Sequence, residues 1–356
     1  LYRALVFLVI SCPCALVVSV PLAYFGGIGA ASRNGILFKG ANYLDMMTRV
    51  NTVVMDKTGT LTEGVFKVKD VVDVYSGKRS MMEYAVALES HSNHPIAKAI
   101  SEYYGNGAGY GLSATDVEEI AGYGMKGTID GHEVLAGNSK LFDRYGIAYD
   151  AAVNGIVETV VMVAVDGNYS GYITIADKVK DDAALAVKEM KRYGIRTIVM
   201  LSGDRSSIVG KVSSELGIDE AYGDLLPEDK VAHVERLKSD SSNVVAFVGD
   251  GINDAPVLAL SDVGIAMGGM GSDAAIEVAD VVIQTDQPSK ISTAVLIARS
   301  TRRIVIQNIV LALGVKTIVL LMGAFGVATM WEAVFADVGV SLIAILNAVR
   351  ILRKKF

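Results

Sequence analysis

Val50-Asn51-Thr52-Val53-Val54-Met55 is a short apolar, β-branched run, and it delivers the chain into Asp56-Lys57-Thr58-Gly59-Thr60. Such a run, closed by a glycine turn, reads as a buried strand. An acid at its C-terminal end stands where ligands bind in α/β folds, and a carboxylate there is placed to attack a phosphate. Runs of the same form recur at 197–200 and 244–248, with helix-period patterns at 181–193 and 206–216. This alternation predicts a doubly wound α/β domain around a parallel sheet.

At 356 residues the chain has room for roughly two or three domains. It is 51% hydrophobic yet 20% charged, a balance that suits membrane spans beside a soluble body. The net charge of −6 indicates no nucleic-acid surface. Stretches at about 1–31, 304–330 and 333–351 are long and apolar enough to cross a bilayer, which takes about 20 residues. Buried core helices of a soluble protein are the alternative. Arg33 and Lys39, Arg302 and Arg303, and Arg350 to Lys355 fall on one side if the last two spans form a hairpin. By the positive-inside rule that side is the cytoplasm, and Trp331 suits the opposite interface. The chain starts apolar at Leu1, without a charged leader region and cleavage site, and reads as entered in mid-helix.

The expected order is a span (1–31), an α/β part (32–67), an insert (68–172), a second α/β part (173–300), then two spans and a basic tail (301–356). The insert differs in texture, with a glycine-rich segment at 105–111 and hairpin signals at Asp130-Gly131 and Asp166-Gly167. It separates the Asp56 run from the remaining strands of the α/β domain.

Three further segments should meet Asp56 at one sheet edge. Ser202-Gly203-Asp204 follows a strand, and its hydroxyl and backbone N–H groups can hold phosphate oxygens. Lys230 supplies a cation for developing charge. Gly249-Asp250-Gly251-Ile252-Asn253-Asp254-Ala255-Pro256 follows another strand, and its two carboxylates suit Mg²⁺, which takes oxygen ligands and substrate phosphate. Singly, Ser-Gly-Asp is a common turn and a lysine is usually solvated. Taken with the Asp56 run, the last segment resembles the haloacid-dehalogenase-like phosphorylation domain of P-type ATPases. The resemblance implies a catalytic group of Asp56 as nucleophile with Lys57, Thr58, Ser202, Gly203, Asp204 and Lys230. It further implies Mg²⁺ on Asp56 and Asp250, with Thr58, Asp254 and Asn253 completing the site, and Thr58 and Ser202 on the phosphoryl group. The family more usually has threonine at the place of Ser202, and the hydroxyl is kept.

In the insert, Ser92-Asn93-His94-Pro95 precedes a helix-like stretch, Glu89 lies shortly before it, and Gly122, Gly124 and Gly127 form a G-x-G-x-x-G. That glycine pattern lacks the strand-then-helix setting of a Rossmann loop and alone says little. With Gly137-Asn138 the set resembles the ATP-binding domain of heavy-metal P-type ATPases. The resemblance implies that His94 orients the nucleotide, that Glu89 and Asn138 hydrogen-bond to it, and that the glycines admit it closely.

Cys12-Pro13-Cys14 lies midway along the first span. Near neighbours in an apolar run do not suggest a structural disulfide. Proline removes a backbone hydrogen bond and distorts the turn, so both sulfurs can face one ion; a kinked helix with two inert thiols is the other reading. Lys316 and Asp337 lie inside the last two spans, where each charge costs about 2.5–3.5 kcal/mol and should face the bundle interior. Asp337 beside two thiolates suits a borderline divalent ion, whereas Cu(I) prefers sulfur alone. Met322 and Met330 can be soft ligands or simple packing, and Lys316 can alternatively snorkel. Cys-Pro-Cys with this Lys and Asp-x-Gly resembles the zinc/cadmium/lead branch of the heavy-metal pumps.

The resemblance covers the chain and implies the C-terminal half of an integral pump, with soluble domains in the cytoplasm and a bacterial plasma membrane as the default. ATP and Mg²⁺ are the implied cofactors, and Zn²⁺, Cd²⁺ or Pb²⁺ the exported ion. Membrane lipid and a missing N-terminal half, carrying the actuator domain and earlier spans, are the implied partners. A Cu(I) pump and a membrane-anchored phosphatase of the dehalogenase superfamily are the rivals. Against the phosphatase, Thr58 stands where such enzymes often carry a second aspartate.

Overall fold

The computed structural model describes residues 12–356 apart from 78, 93, 106–111, 121, 252–253, 269–272 and 328. Expectations that fall on 1–11, Asn93, the loop 106–111 and Asn253 lie outside the described residues. In chain order the strands are β1 (Ile36–Phe38), β2 (Thr52–Asp56), β3 (Thr62–Asp73), β4 (Ala114–Ile120), β5 (Gly124–Ile129), β6 (His132–Gly137) and β7 (Thr159–Val165). They continue with β8 (Asn168–Val179), β9 (Thr197–Leu201), β10 (Glu220–Tyr222), β11 (Val245–Gly249), β12 (Val263–Met267) and β13 (Val281–Ile283). Two compact units result, one of Leu1–Leu61 with Lys180–Phe356 and one of Thr62–Val179.

The first unit holds a seven-stranded sheet in the order β1-β13-β12-β11-β2-β9-β10. All neighbours run parallel except β1 against β13. Every residue of β2 and β11 is buried, because helices cover both faces of the sheet, and this explains their near-continuous apolar runs. Strand β2 lies between β11 and β9, so the strand order reverses there, and the C-terminal ends of the three strands stand side by side. The helix expected at 206–216 is found as Ser206–Leu216, and that at 181–193 as Ala183–Arg192.

Three helices of this unit are long and apolar enough to cross a membrane: Cys14–Ser32, Ser289–Ala324 and Met330–Arg353. The middle one is 36 residues long, about 54 Å at 1.5 Å per residue, and begins well before the apolar stretch expected from 304. Ala15, Ala312 and Val340, one from each helix, pack together. Small residues permit that close approach.

The second unit is a six-stranded antiparallel sheet, β3-β8-β7-β6-β5-β4. Alternation along β6 divides its faces. Val134 and Ala136 join the core under the helices Met81–Glu89 and Pro95–Tyr104, while Leu135 joins Phe142 of the helix Ser139–Tyr145. The hairpin turns fall where the sequence puts them. Asp130 and Gly131 (φ +54° and +83°) join β5 to β6, and Asp166 and Gly167 (φ +50° and +73°) join β7 to β8. Two consecutive left-handed residues are what a two-residue turn with matching strand twist requires. The unit is wider than the expected 68–172, because β3 and β8 stay paired to Thr62 opposite Val179.

Candidate functional site

Strand β2 ends on Asp56, level with Leu201 at the end of β9, and the chain then turns sharply through Gly59 at φ +72°. A Cβ at Gly59 would run into the Asp250 carboxylate, so only glycine lets the turn lie over Asp250. Ser202 follows β9 and Asp250 follows β11. Pro227 starts the helix Pro227–Ser239, whose first turn carries Lys230. Together these ends line a cavity of about 390 Å³ with Asp56, Thr58, Ser202, Gly203, Asp204, Lys230, Asp250 and Asp254 on its wall.

The Lys230 ammonium donates to Asp56 Oδ1 at 2.6 Å and to Asp254 Oδ1 at 2.9 Å. Lys57, also buried, pairs with Asp204 at 2.6 Å, which holds the Ser202–Asp204 turn to the nucleophile's loop. Ser202 Oγ accepts from the Asp204 N–H at 3.1 Å. Burial, and then the Asp254 carboxylate, push Asp56 up to about 7 against the pull of Lys230. Burial and Asp254 likewise raise Asp250 to about 6. Burial alone would lower Lys230, but Asp56 and Asp254 more than reverse it. Carboxylate oxygens of Asp56, Asp250 and Asp254 come within 4.8 Å of one another. Three crowded acids, of which Asp56 and Asp250 are held toward their protonated forms, fit a divalent cation such as Mg²⁺.

The second unit has its own cavity, about 280 Å³, lined by Glu89, His94, Gly122, Gly124, Gly137 and Asn138 among others. Glu89 is the last residue of the helix Met81–Glu89, which starts from a reciprocal cap. Glu83 N–H donates to Ser80 Oγ and the Ser80 N–H to Glu83 Oε2. Burial, and then Glu119 on β4, raise the Glu89 carboxyl to about 7. His94 caps the helix Pro95–Tyr104, its Nδ1 accepting from the Ile96 N–H at 3.3 Å. The neutral ring is thereby the Nε2–H tautomer.

Asn138 Oδ1 accepts from the Leu141 N–H and its Nδ2 donates to the Gly122 carbonyl, so the amide on this cavity wall also caps a helix and ties a turn. Gly124 and Gly127 also serve the sheet itself. Gly124 lies opposite Gly137, and a Cβ on Gly124 would strike the Ala136 carbonyl, while Gly127 packs under Leu88.

In the membrane helices Lys316 is 8% exposed, lies 3.9 Å from Asp337 and donates to the Cys12 carbonyl. Lys316 and Asp337 therefore face each other in the bundle, not its ends. Asp337 sits in a widened turn, Phe335–Gly339, and its Oδ1 is buried without a hydrogen bond. Such turns re-aim side chains at functional sites, and nothing in the sequence marks this one. Met330 packs with Val319 and Ala333. Cys12 and Cys14 are joined as a disulfide, which corrects the expectation that they would not pair. The helix begins only at Cys14, after Pro13, so the two sulfurs are not spread by helical geometry. The same convergence puts both sulfurs and an Asp337 oxygen within 4.8 Å, a set able to hold a metal once the thiols are reduced.

A profile of the haloacid dehalogenase-like hydrolases matches residues 50–262. The catalytic domain of the CPx-ATPase CopB-B matches in structure with a TM-score of 0.59 at 30% identity, over 75% of this chain and 98% of that one. The chain belongs to the haloacid dehalogenase-like hydrolases, as a heavy-metal P-type ATPase. A zinc-transporting PIB-type ATPase in its E2.Pi state superposes with a TM-score of 0.89 at 35% identity, over 99% of this chain and 58% of that one. A zinc-transporting ATPase of Synechocystis sp. is 54% identical over 98% of this chain and 48% of its own length. A cadmium, zinc and cobalt-transporting ATPase of Bacillus subtilis is 54% identical over 99% and 50%. The chain spans about half the length of these curated relatives. Sequence reasoning missed Lys180, which lies in the charged run Asp177-Lys178-Val179-Lys180-Asp181-Asp182, and Asp286, which lies in the polar stretch 284–287.

Proposed function

We propose that this chain is the phosphorylation, nucleotide-binding and C-terminal membrane portion of an ATP-driven exporter of Zn²⁺, Cd²⁺ or Pb²⁺. It works in a bacterial plasma membrane, with the α/β domain and its insert in the cytoplasm and an N-terminal half carrying the actuator domain and earlier spans. The observation that carries this reading is the convergence of Asp56, Asp250 and Asp254 around Lys230 at the sheet's C-terminal edge.

An Asp56 carboxylate oxygen attacks the γ-phosphorus of ATP, the bond to the β–γ bridging oxygen breaks, and ADP leaves with the electron pair. Thr58 and Ser202 hold the transferred oxygens by their hydroxyls, and Lys230 balances the charge that builds up. Lys57 keeps the Ser202–Asp204 turn in place through Asp204. Mg²⁺, when bound among Asp56, Asp250 and Asp254, screens the phosphate from the carboxylates. In the insert, His94 offers Nε2–H and Glu89 a carboxyl that carries its proton up to about 7. The aspartyl phosphate stores the free energy of ATP in a protein bond, so its making and breaking can drive a change of conformation.

The exported ion is bound by Cys12, Cys14 and Asp337, with Lys316 as counter-ion when the ion has left. A hard oxygen in that set supports a divalent ion over Cu(I). The test is labelling of the full-length pump from γ-labelled ATP, titrated with Zn²⁺ and with Cu(I) under reducing conditions. An acid-stable, hydroxylamine-labile label, lost in Asp56→Asn and stimulated by Zn²⁺ alone, is expected. Stimulation by Cu(I) alone overturns the assignment of the ion.

A further inference from the structure

Lys180 is 7% exposed, and the chemistry described above makes no use of it. A buried ammonium is strongly unfavourable unless its protons are met. Here they meet the phosphorylation loop. Lys180 Nζ donates to the Gly59 carbonyl at 2.6 Å and to Asp286 Oδ1 at 2.9 Å. Its backbone N–H donates to the Leu61 carbonyl at 2.9 Å. One residue thus grips the turn after Asp56 at two points. Gly59 is the residue that must lie against the Asp250 carboxylate, and it has the left-handed φ of +72°. Asp286 is itself held at φ +54°, just before the long helix Ser289–Ala324, and Asp182 accepts from the Ser289 N–H at 2.9 Å.

We propose that Lys180 is a positioning residue for phosphoryl transfer: by holding the Gly59 carbonyl it fixes the Asp56–Thr60 turn over the Asp250 carboxylate. The proposal rests on the aspartyl-phosphate reading above. Neither of Lys180's bonds is to Asp56, so its effect passes through the turn. Its charge also acts on Asp250, opposing the burial that raises that carboxyl. A tie that served stability alone would leave the rate of transfer in the folded enzyme unchanged.

The experiment is single-turnover phosphorylation of the full-length pump by γ-labelled ATP, with the saturating rate and the half-saturating ATP concentration measured separately. Lys180→Met should slow the saturating rate by about 10–100-fold, as loss of an outer-shell partner does, at an unchanged half-saturating concentration. Lys180→Arg keeps a charged donor and should recover most of the rate. Asp286→Asn tolerates the left-handed backbone, keeps the Gly59 bond and should lose only a few-fold. If Lys180→Met does not fold, Lys180→Gln carries the comparison, because its neutral, shorter donor should slow the rate in the same way. A wild-type rate in Lys180→Met or Lys180→Gln overturns the proposal. So does a defect confined to ATP affinity, or an Arg variant as slow as the Met variant. Absence of any phosphoenzyme in the unmodified pump would instead sink the reading of the Asp56 site, and the proposal with it.

Discussion

Burial, and then the Asp254 carboxylate, hold Asp56 at about 7, and burial with Asp254 holds Asp250 at about 6. The ordinary value of both is near 3.8. Between those limits these two groups bind more protons in the folded protein than in the unfolded chain, so without Mg²⁺ their contribution to stability falls as pH rises from about 4 to about 7. This is the reverse of a salt-bridged carboxylate. Mg²⁺ takes the place of those protons. Its apparent affinity should therefore increase as pH rises through about 6 to 7 and level off above, and its stabilising effect should grow in step. Thermal unfolding with and without Mg²⁺ across that range checks both trends. An affinity that stays flat with pH would mean that Asp56 and Asp250 are already ionised.

At the scale of the element, what the sequence made legible is what local chemistry decides. The Asp-Gly turns were readable because left-handed φ is a requirement on the residue itself, and β2, β9 and β11 because strands covered on both faces read as apolar runs. The ends of the insert were not. β3 has mixed burial and shifts register between Thr62 and Phe66 and again between Val68 and Asp70, so its pattern is no clean alternation. Nor was the use of the glycines at 122–127, because a close approach between two strands is a tertiary fact. Gly124 has φ +144° and no room for a Cβ, whereas Gly122, at φ +79°, has open space. Gly124→Ala should therefore destabilise the insert by about 1–3 kcal/mol or more, and Gly122→Ala by only about 1–2 kcal/mol. Denaturant unfolding separates them. Equal stability with a selective loss of ATP binding would return Gly124 to the nucleotide. In the same unit, Ser80→Ala removes the cap of the helix that presents Glu89 and should cost about 1 kcal/mol.

For the whole molecule, the long helix Ser289–Ala324 begins just after Asp286, the partner of Lys180, and carries Lys316 toward its other end, within the membrane. Lys316 matters there because its partner is otherwise unmatched. Asp337 Oδ1 is buried without a hydrogen bond, and an uncompensated charge at that depth costs about 2.5–3.5 kcal/mol. On the proposed export reading, once the ion leaves, the Lys316 ammonium is the cation among the described residues that pairs with Asp337. In the full-length pump, Lys316→Met removes that replacement, so the ion-bound state gains relative to the empty one. Zn²⁺ should bind at least as tightly as in the unmodified pump, while uptake into inverted vesicles falls by about 10-fold or more, the size of effect that about 1.4 kcal/mol on release produces. Asp337→Asn relieves the demand for a counter-ion but removes the oxygen ligand, and should instead weaken Zn²⁺ binding. A Lys316→Met pump that transports at the normal rate would show that Asp337 finds its neutralising partner elsewhere in the bundle.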